Sequence, residues 1–150
     1  MTHFKEGDLV KIPFPDGRAV LAKVLYVGKR FENVICISVW QWIEPTATLR
    51  NLEVDPIKCP PFYTNILAAK DCGWTVIGNR GLTEAEEMAT LRIVGDNVYL
   101  KDECLRTATI RDNEQLHEML GIGMPTVFKW SERVLAGLPV GITYNPEQIP

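Results

Sequence analysis

The chain has 150 residues, 46% of them hydrophobic and 23% charged, and a formal net charge of −3. These are the proportions of a folded globular chain, which excludes a disordered or fibrous one, and the length predicts a single domain, 1–150, able to bury a core without disulfide staples. The longest apolar stretch, Val34 to Trp40, is broken by Ser38 and too short to span a bilayer, and Met1 to Glu6 lacks the apolar core of a secretory signal, so the expected address is the cytoplasm.

The first third reads as strands. Asp8 to Phe14 alternates, with Val10, Ile12 and Phe14 on one face. Pro15-Asp16-Gly17-Arg18 is a turn, because proline presets φ and Asp-Gly tolerates the positive φ of a tight hairpin. A second strand is expected from Ala19 to Val27 and a third from Val34 to Trp42, apolar on both faces and so buried on both or part of a curled sheet. Three strands joined by short turns form an antiparallel meander, the usual opening of a small barrel. From Glu44 to Pro61 the prolines rule out a central strand and predict an irregular loop.

A strand pair is expected next, Asn65 to Lys70 and Trp74 to Gly78, turning through Asp71-Cys72-Gly73. Thr83-Glu84-Ala85-Glu86 is a capping box that starts a short helix ending near Ala89. Strands follow at Leu91 to Val94, Val98 to Lys101 and Cys104 to Ile110. Asp112 with Gln115 resembles a second capping box, and Leu116, Met119 and Leu120 give a helical stripe ended by Gly121. Pro125 suits the first turn of a last helix in which Val127, Trp130 and Val134 share a face, and the tail 137–150 reads as extended. The expected class is mainly β (α+β): a small SH3-like, partly open antiparallel β-barrel with short C-terminal helices.

The sequence is poor in catalytic templates. Gly121-Ile122-Gly123 follows a helical stripe instead of opening a helix after a strand, so no phosphate cradle is expected, and no H-E-x-x-H or G-x-S-x-G is present. Cys36, Cys59, Cys72 and Cys104 are scattered without a C-x-x-C pair, which predicts reduced, packed thiols and neither a metal site nor a cofactor. His117, between Gln115 and Glu118, reads as an exposed surface histidine. Glu86-Glu87 and Asp102-Glu103 are sequence neighbours pointing to different sides, so they read as solvated carboxylates and not as an acid–base couple.

Charge is uneven. Residues 1–75 carry nine basic and eight acidic side chains, and residues 76–150 seven basic and eleven acidic. A net of +1 against −4 argues against a nucleic-acid backbone and suits a basic protein partner. Trp40 and Trp42, two apart on a strand, are expected on one face, with core packing for at least one; an exposed one beside Phe62-Tyr63 would anchor a partner.

Two families share the opening. Gly7-Asp8-Leu9-Val10-Lys11-Ile12-Pro13-Phe14 with Asp16-Gly17-Arg18, followed later by Trp74-Thr75-Val76-Ile77-Gly78-Asn79, resembles the bacterial immunity protein 26 family of polymorphic toxin systems over about two-thirds of the chain. That resemblance implies a non-enzymatic antitoxin that binds a cognate toxin and blocks its active site or substrate surface. The same opening strand is similar to that of the MazF/PemK ribonuclease toxins, in which the arginine of an Arg-Pro-Ala-Leu-Val stretch serves RNA cleavage. Here Arg18-Ala19-Val20-Leu21-Ala22 keeps the arginine and loses the proline. A third reading is a generic SH3-like or KOW-like module that binds nucleic acid or a protein tail. Most of the motif residues have structural uses in turns and strand ends. The partner-binding surface expected of an immunity-type chain takes in Arg18, Trp42, Glu84, Glu86, Glu87, Asp102 and Glu103.

Overall fold

The computed structural model describes residues 3–51 and 60–141. Three strands open the chain as an antiparallel meander: β1 (Asp8–Pro13), β2 (Ala19–Val27) and β3 (Val34–Ile43). A 3-10 turn at Leu49–Asn51 precedes the stretch 52–59, and that part of the expected loop lies outside the described residues. Then come β4 (Phe62–Asn65), α1 (Ile66–Asp71), β5 (Thr75–Asn79), α2 (Glu84–Met88), β6 (Leu91–Val94), β7 (Asn97–Leu100) and β8 (Glu103–Thr107). The last elements are α3 (Ile110–Gln115), β9 (Gly121–Ile122) and α4 (Met124–Leu135). The expected extended tail is described only to residue 141.

The class is mixed α+β, mostly strands, in two sheets. The larger has the order β5-β1-β2-β3-β4-β9 and the smaller β6-β7-β8. β5 and β9 end the larger order without pairing with each other, so this sheet is open. One of its faces, carrying Val10, Ile12, Val24, Ile37 and Phe62, packs with Ala69 of α1 and with Met124 and Val127 of α4. On the other face Leu25, Tyr26, Cys36 and Tyr63 form a second cluster, from which Tyr26 and Tyr63 reach Arg92 of the small sheet. β2 and β3 are therefore buried on both faces; this was expected of β3 from its two apolar faces, and β2 buries Lys23 among its apolar residues. Among the described residues no helix is long and apolar enough to cross a membrane.

Three expectations are corrected. Asn65 to Lys70 is a helix, not a strand, because the Asn65 side chain accepts hydrogen bonds from the backbone N–H groups of Leu67 and Ala68 (2.8 and 3.2 Å) and caps α1. The second capping box is Thr109 with Asp112, one turn earlier than Asp112 with Gln115. The helical stripe at Leu116, Met119 and Leu120 does not form: Leu116 is extended and turns into the small core, and the next residues line the edge of β6. There Ile93 N–H donates to the His117 carbonyl and Met119 N–H to the Ile93 carbonyl, both at 2.9 Å.

The opening block Gly7 to Phe14 and the later block Trp74 to Asn79 lie side by side. β1 pairs with β5, placing Asp8 opposite Asn79 and Leu9 opposite Gly78. The Asn79 amide donates to the Asp8 carboxylate (2.9 Å) and to the Glu6 carbonyl (3.1 Å). Gly7 has φ +86°, and a Cβ there would stand 2.8 Å from the Arg80 carbonyl oxygen. Trp74 packs edge-on to Phe4 in the core. Each of these residues is used in closing the strand pair.

The sheets are joined by Arg92, which is fully buried. Its guanidinium lies among the rings of Tyr26, Phe31, Tyr63 and Tyr99, 5.1 to 6.0 Å from their centres. It donates to the carbonyls of Lys101 (2.6 Å) and Thr90 (3.2 Å) and to the Met119 sulfur (3.4 Å), while its Nε finds no partner among the described residues. Arg92→Ala, which empties the cage and strands two carbonyls, is expected to lower stability by about 3 kcal/mol. Arg92→Met, which keeps much of the packing, should cost clearly less in urea denaturation. Equal losses would show that the cage packing contributes nothing.

Candidate functional site

The hairpin between β1 and β2 sets one surface. Gly17 takes φ +90° in its turn, and Asp16 accepts from the Arg18 backbone N–H (3.0 Å) and from its Nε (2.8 Å). The Arg18 guanidinium also reaches Glu132 on α4 (3.0 Å) and lies 4.5 Å above the Trp42 ring and 5.5 Å from that of Phe14. Trp42 meets Phe14 edge-on at 5.2 Å, and Phe14 meets Phe128 of α4 at 4.8 Å. Arg18 holds the Asp16 carboxyl below its usual pKa, first through the side-chain hydrogen bond. Beside this pair runs an open groove of about 500 Å³ lined by Gly17, Arg18, Trp42, Ile43, Glu44 and Pro45.

Trp40 and Trp42 do not share a face. The β2–β3 register slips between Leu21 and Ala22, so Trp40 is an extra residue that turns into a core pocket with Leu9, Leu21 and Ile43. Trp42 is left on the opposite side, 37% exposed. Its aromatic neighbour is Phe14, whereas Phe62 and Tyr63 are buried.

The expected acidic residues have divided roles. Glu86 closes the capping box of α2 and also accepts from the buried Lys23 ammonium (2.8 Å), which donates further to the Gly81 carbonyl. Glu87 pairs with Lys101 (3.3 Å), which also meets Glu6 (3.1 Å). Asp102 accepts from the Tyr26 hydroxyl (2.5 Å) and from the backbone N–H groups of Lys29 and Arg30. Burial pushes its carboxyl up in pKa, and those donors more than offset it, leaving it lowered. Among the described residues, Glu84 and Glu103 are exposed and enter no ion pair. The structure thus joins Arg18 to Trp42 but sets them apart from the carboxylates: Arg18 precedes β2, and Asp102 grips the turn that follows it.

His117 was expected on the surface and is buried, with Nε2 2.9 Å from the Tyr63 hydroxyl and the rings stacked at 5.6 Å. The reason is the loss of the expected helix: an extended 116–119 turns the imidazole inward under the small sheet. Burial, with the nearby Arg92 charge, depresses its pKa to about 4. A neutral imidazole accepting from Tyr63 fits both causes. Arg92 was absent from the expected site because an alternating strand such as Leu91-Arg92-Ile93 normally turns its charge to solvent. Among the described residues no three His, Cys, Asp or Glu side chains gather as a metal site.

Comparison of the chain with family models, curated proteins and solved structures gives no match.

The depressed His117 pKa has a direct consequence for acid stability. The unfolded chain takes up a proton near the ordinary value of 6.5 and the folded chain only near 4, so stability is fully present above pH 6.5 and falls as pH drops toward 4. The loss should reach about 3 kcal/mol across that window. Losses through Asp102 and Asp112, both lowered carboxyls, begin below it. Urea denaturation at stepped pH should show this slope in the native chain and a flat line from pH 6.5 to 4.5 in His117→Phe.

Proposed function

We propose that this chain is a non-enzymatic immunity protein of the cytoplasm, which neutralises a cognate bacterial toxin by binding it. The observation that carries the proposal is the exposed Trp42 with the Arg18 guanidinium over its ring beside an open groove. Tryptophan and arginine dominate the energetics of protein interfaces, and a pair held in place before the partner arrives loses little entropy on binding. Arg18 is so held, between Asp16 and Glu132. The resemblance of the paired β1 and β5 segments to the immunity protein 26 family supports the same reading, as does the acidic C-terminal half for a basic toxin. The bulged three-strand meander supports a further proposal, that the larger sheet derives from a partly open SH3-like barrel. A ribonuclease role for Arg18 draws no support from its surroundings, where two carboxylates already share the guanidinium.

The test is capture of bound proteins by the tagged chain, followed by co-expression with any toxin so identified. Rescue of growth and a stoichiometric complex are expected. Arg18→Ala and Trp42→Ala should each weaken the complex by about tenfold or more, and Arg18→Ala, at an exposed side chain, should leave the melting temperature nearly unchanged. RNA cleavage by the purified chain, abolished in Arg18→Ala, would replace this reading with the ribonuclease one.

A further inference from the structure

The nitrogens of the fully buried Arg92 are unequally served. Nη1 donates to two backbone carbonyls, of Lys101 at 2.6 Å and of Thr90 at 3.2 Å. Nε and Nη2 share another edge of the guanidinium plane. There the one acceptor among the described residues is the Met119 sulfur, 3.4 Å from Nη2, and Nε finds none. A thioether is a weak acceptor, while this edge suits the two parallel hydrogen bonds by which a guanidinium grips a carboxylate. The carboxylates of adjoining elements are committed elsewhere: Asp102 to the Tyr26 hydroxyl and the turn after β2, Glu6 and Glu87 to Lys101. A cation in a low dielectric normally has an anion beside it, because an unpaired one is costly.

Met119 and Tyr63 belong both to the surroundings of Arg92 and to the wall of an open cavity of about 250 Å³. Val34, Thr64 and Ile122 line that cavity with them, and so does the exposed carboxylate of Glu32. The Met119 backbone is fixed by the N–H it donates to the Ile93 carbonyl. Its side chain is only half-buried, unbranched and turns about three bonds, so the sulfur can leave Arg92 without disturbing the backbone.

The cage selects the chemistry of the ligand. Its walls are the rings of Tyr26, Phe31, Tyr63 and Tyr99 around a single positive charge. A monoanion neutralises that charge, whereas a dianion such as phosphate would leave a net negative charge among the rings. Two oxygens in one plane match the Nε–Nη2 edge, and Val34, Met119 and Ile122 suit a small hydrocarbon body. Glu32 opposes any anion that enters, a cost the buried cation has to outweigh. We propose that Arg92 and Met119 form a gated binding site for a small monocarboxylate, which replaces the thioether on the Nε–Nη2 edge. The site lies apart from the Arg18–Trp42 surface, and the inference goes beyond the toxin-binding reading without resting on it.

The test is a titration of the isotope-labelled full chain with butyrate at pH 7, against chloride and inorganic phosphate at matched ionic strength. Butyrate should give saturable shifts confined to Arg92, Met119, Tyr63 and their neighbours. Met119→Ala, which removes the gate, should bind about tenfold tighter, since no contact has to open first. Glu32→Gln should tighten binding about twofold. Arg92→Met should keep the native fold and lose the shifts. No saturable shift in the native chain or in Met119→Ala at about 0.1 M butyrate, where even millimolar affinity saturates, would overturn the site. Equal shifts with chloride or phosphate would overturn the carboxylate, and equal affinity of native chain and Met119→Ala would overturn the gate. Binding that persists in Arg92→Met would overturn the assignment to Arg92. Should that variant fail to fold, native chain and Met119→Ala with the three anions decide the matter.

Discussion

A guanidinium that pairs with no carboxylate among the described residues sits where the two sheets meet, and much of the molecule is arranged to make that tolerable. Arg92 is held by two carbonyls, one thioether and the faces of four rings. Burying a charge this way requires that donors and π-faces be placed accurately, since each unmet group in a low dielectric is costly. The Lys101 carbonyl reaches Arg92 from a turn residue in the left-handed region, a conformation a lysine adopts only when its surroundings hold it there. Lys101 is held by Glu6 and Glu87, and its neighbour Asp102 is fixed to Tyr26 and to the turn after β2. The same charge sits close enough to His117 to help keep that imidazole neutral. One buried cation thus accounts for the pinned hairpin and contributes to the acid sensitivity.

The second constraint is in the β2–β3 ladder, which slips register twice, between Leu21 and Ala22 and between Val24 and Tyr26. Each slip adds twist and changes which face the following residues present. The first sends Trp40 inward and leaves Trp42 at the rim, within reach of Arg18. The second lets Leu25 and Tyr26 both belong to the cluster facing the small sheet, so that the Tyr26 ring can line the cage and its hydroxyl can reach Asp102. Without these bulges a strict two-residue period would put both tryptophans on one side.

That period explains what the sequence could and could not reveal. The meander, the turn at Asp16-Gly17, the capping box at Thr83 and the final helix are local patterns, and each stands in the structure close to its expected place. The misreadings share a cause in tertiary competition. Asn65 to Lys70 was expected to be a strand, but the asparagine at its start caps the following residues into a helix. Leu116 to Leu120 has helical spacing, yet pairing with β6 and burial of Leu116 and His117 outweigh a single further turn. Arg18 and Trp42 were legible as residues of interest because their chemistry exceeds their packing use, although only the bulge brings them together. Arg92 carried no local signal, because nothing in Leu91-Arg92-Ile93 tells that four aromatic rings from distant elements will surround it.

The distribution of work among the charged residues narrows where the proposed partner would be met. Glu86 is committed to Lys23, Glu87 to Lys101 and Asp102 to Tyr26, so these three carboxylates hold the fold and reach a partner only as part of its field. The motif residues of β1 and β5 are likewise spent on closing their strand pair. What remains are two surfaces near opposite ends of β2: the Arg18–Trp42 platform before it, and the small-sheet hairpin anchored to the turn after it. A nine-residue strand sets them roughly 30 Å apart, comparable with the width of an ordinary protein interface, so one partner would have to lie along the strand to touch both. At that separation, without shared neighbours, substitutions in the two should combine additively in binding energy, and any coupling between them would have to pass through the ladder of β2 itself.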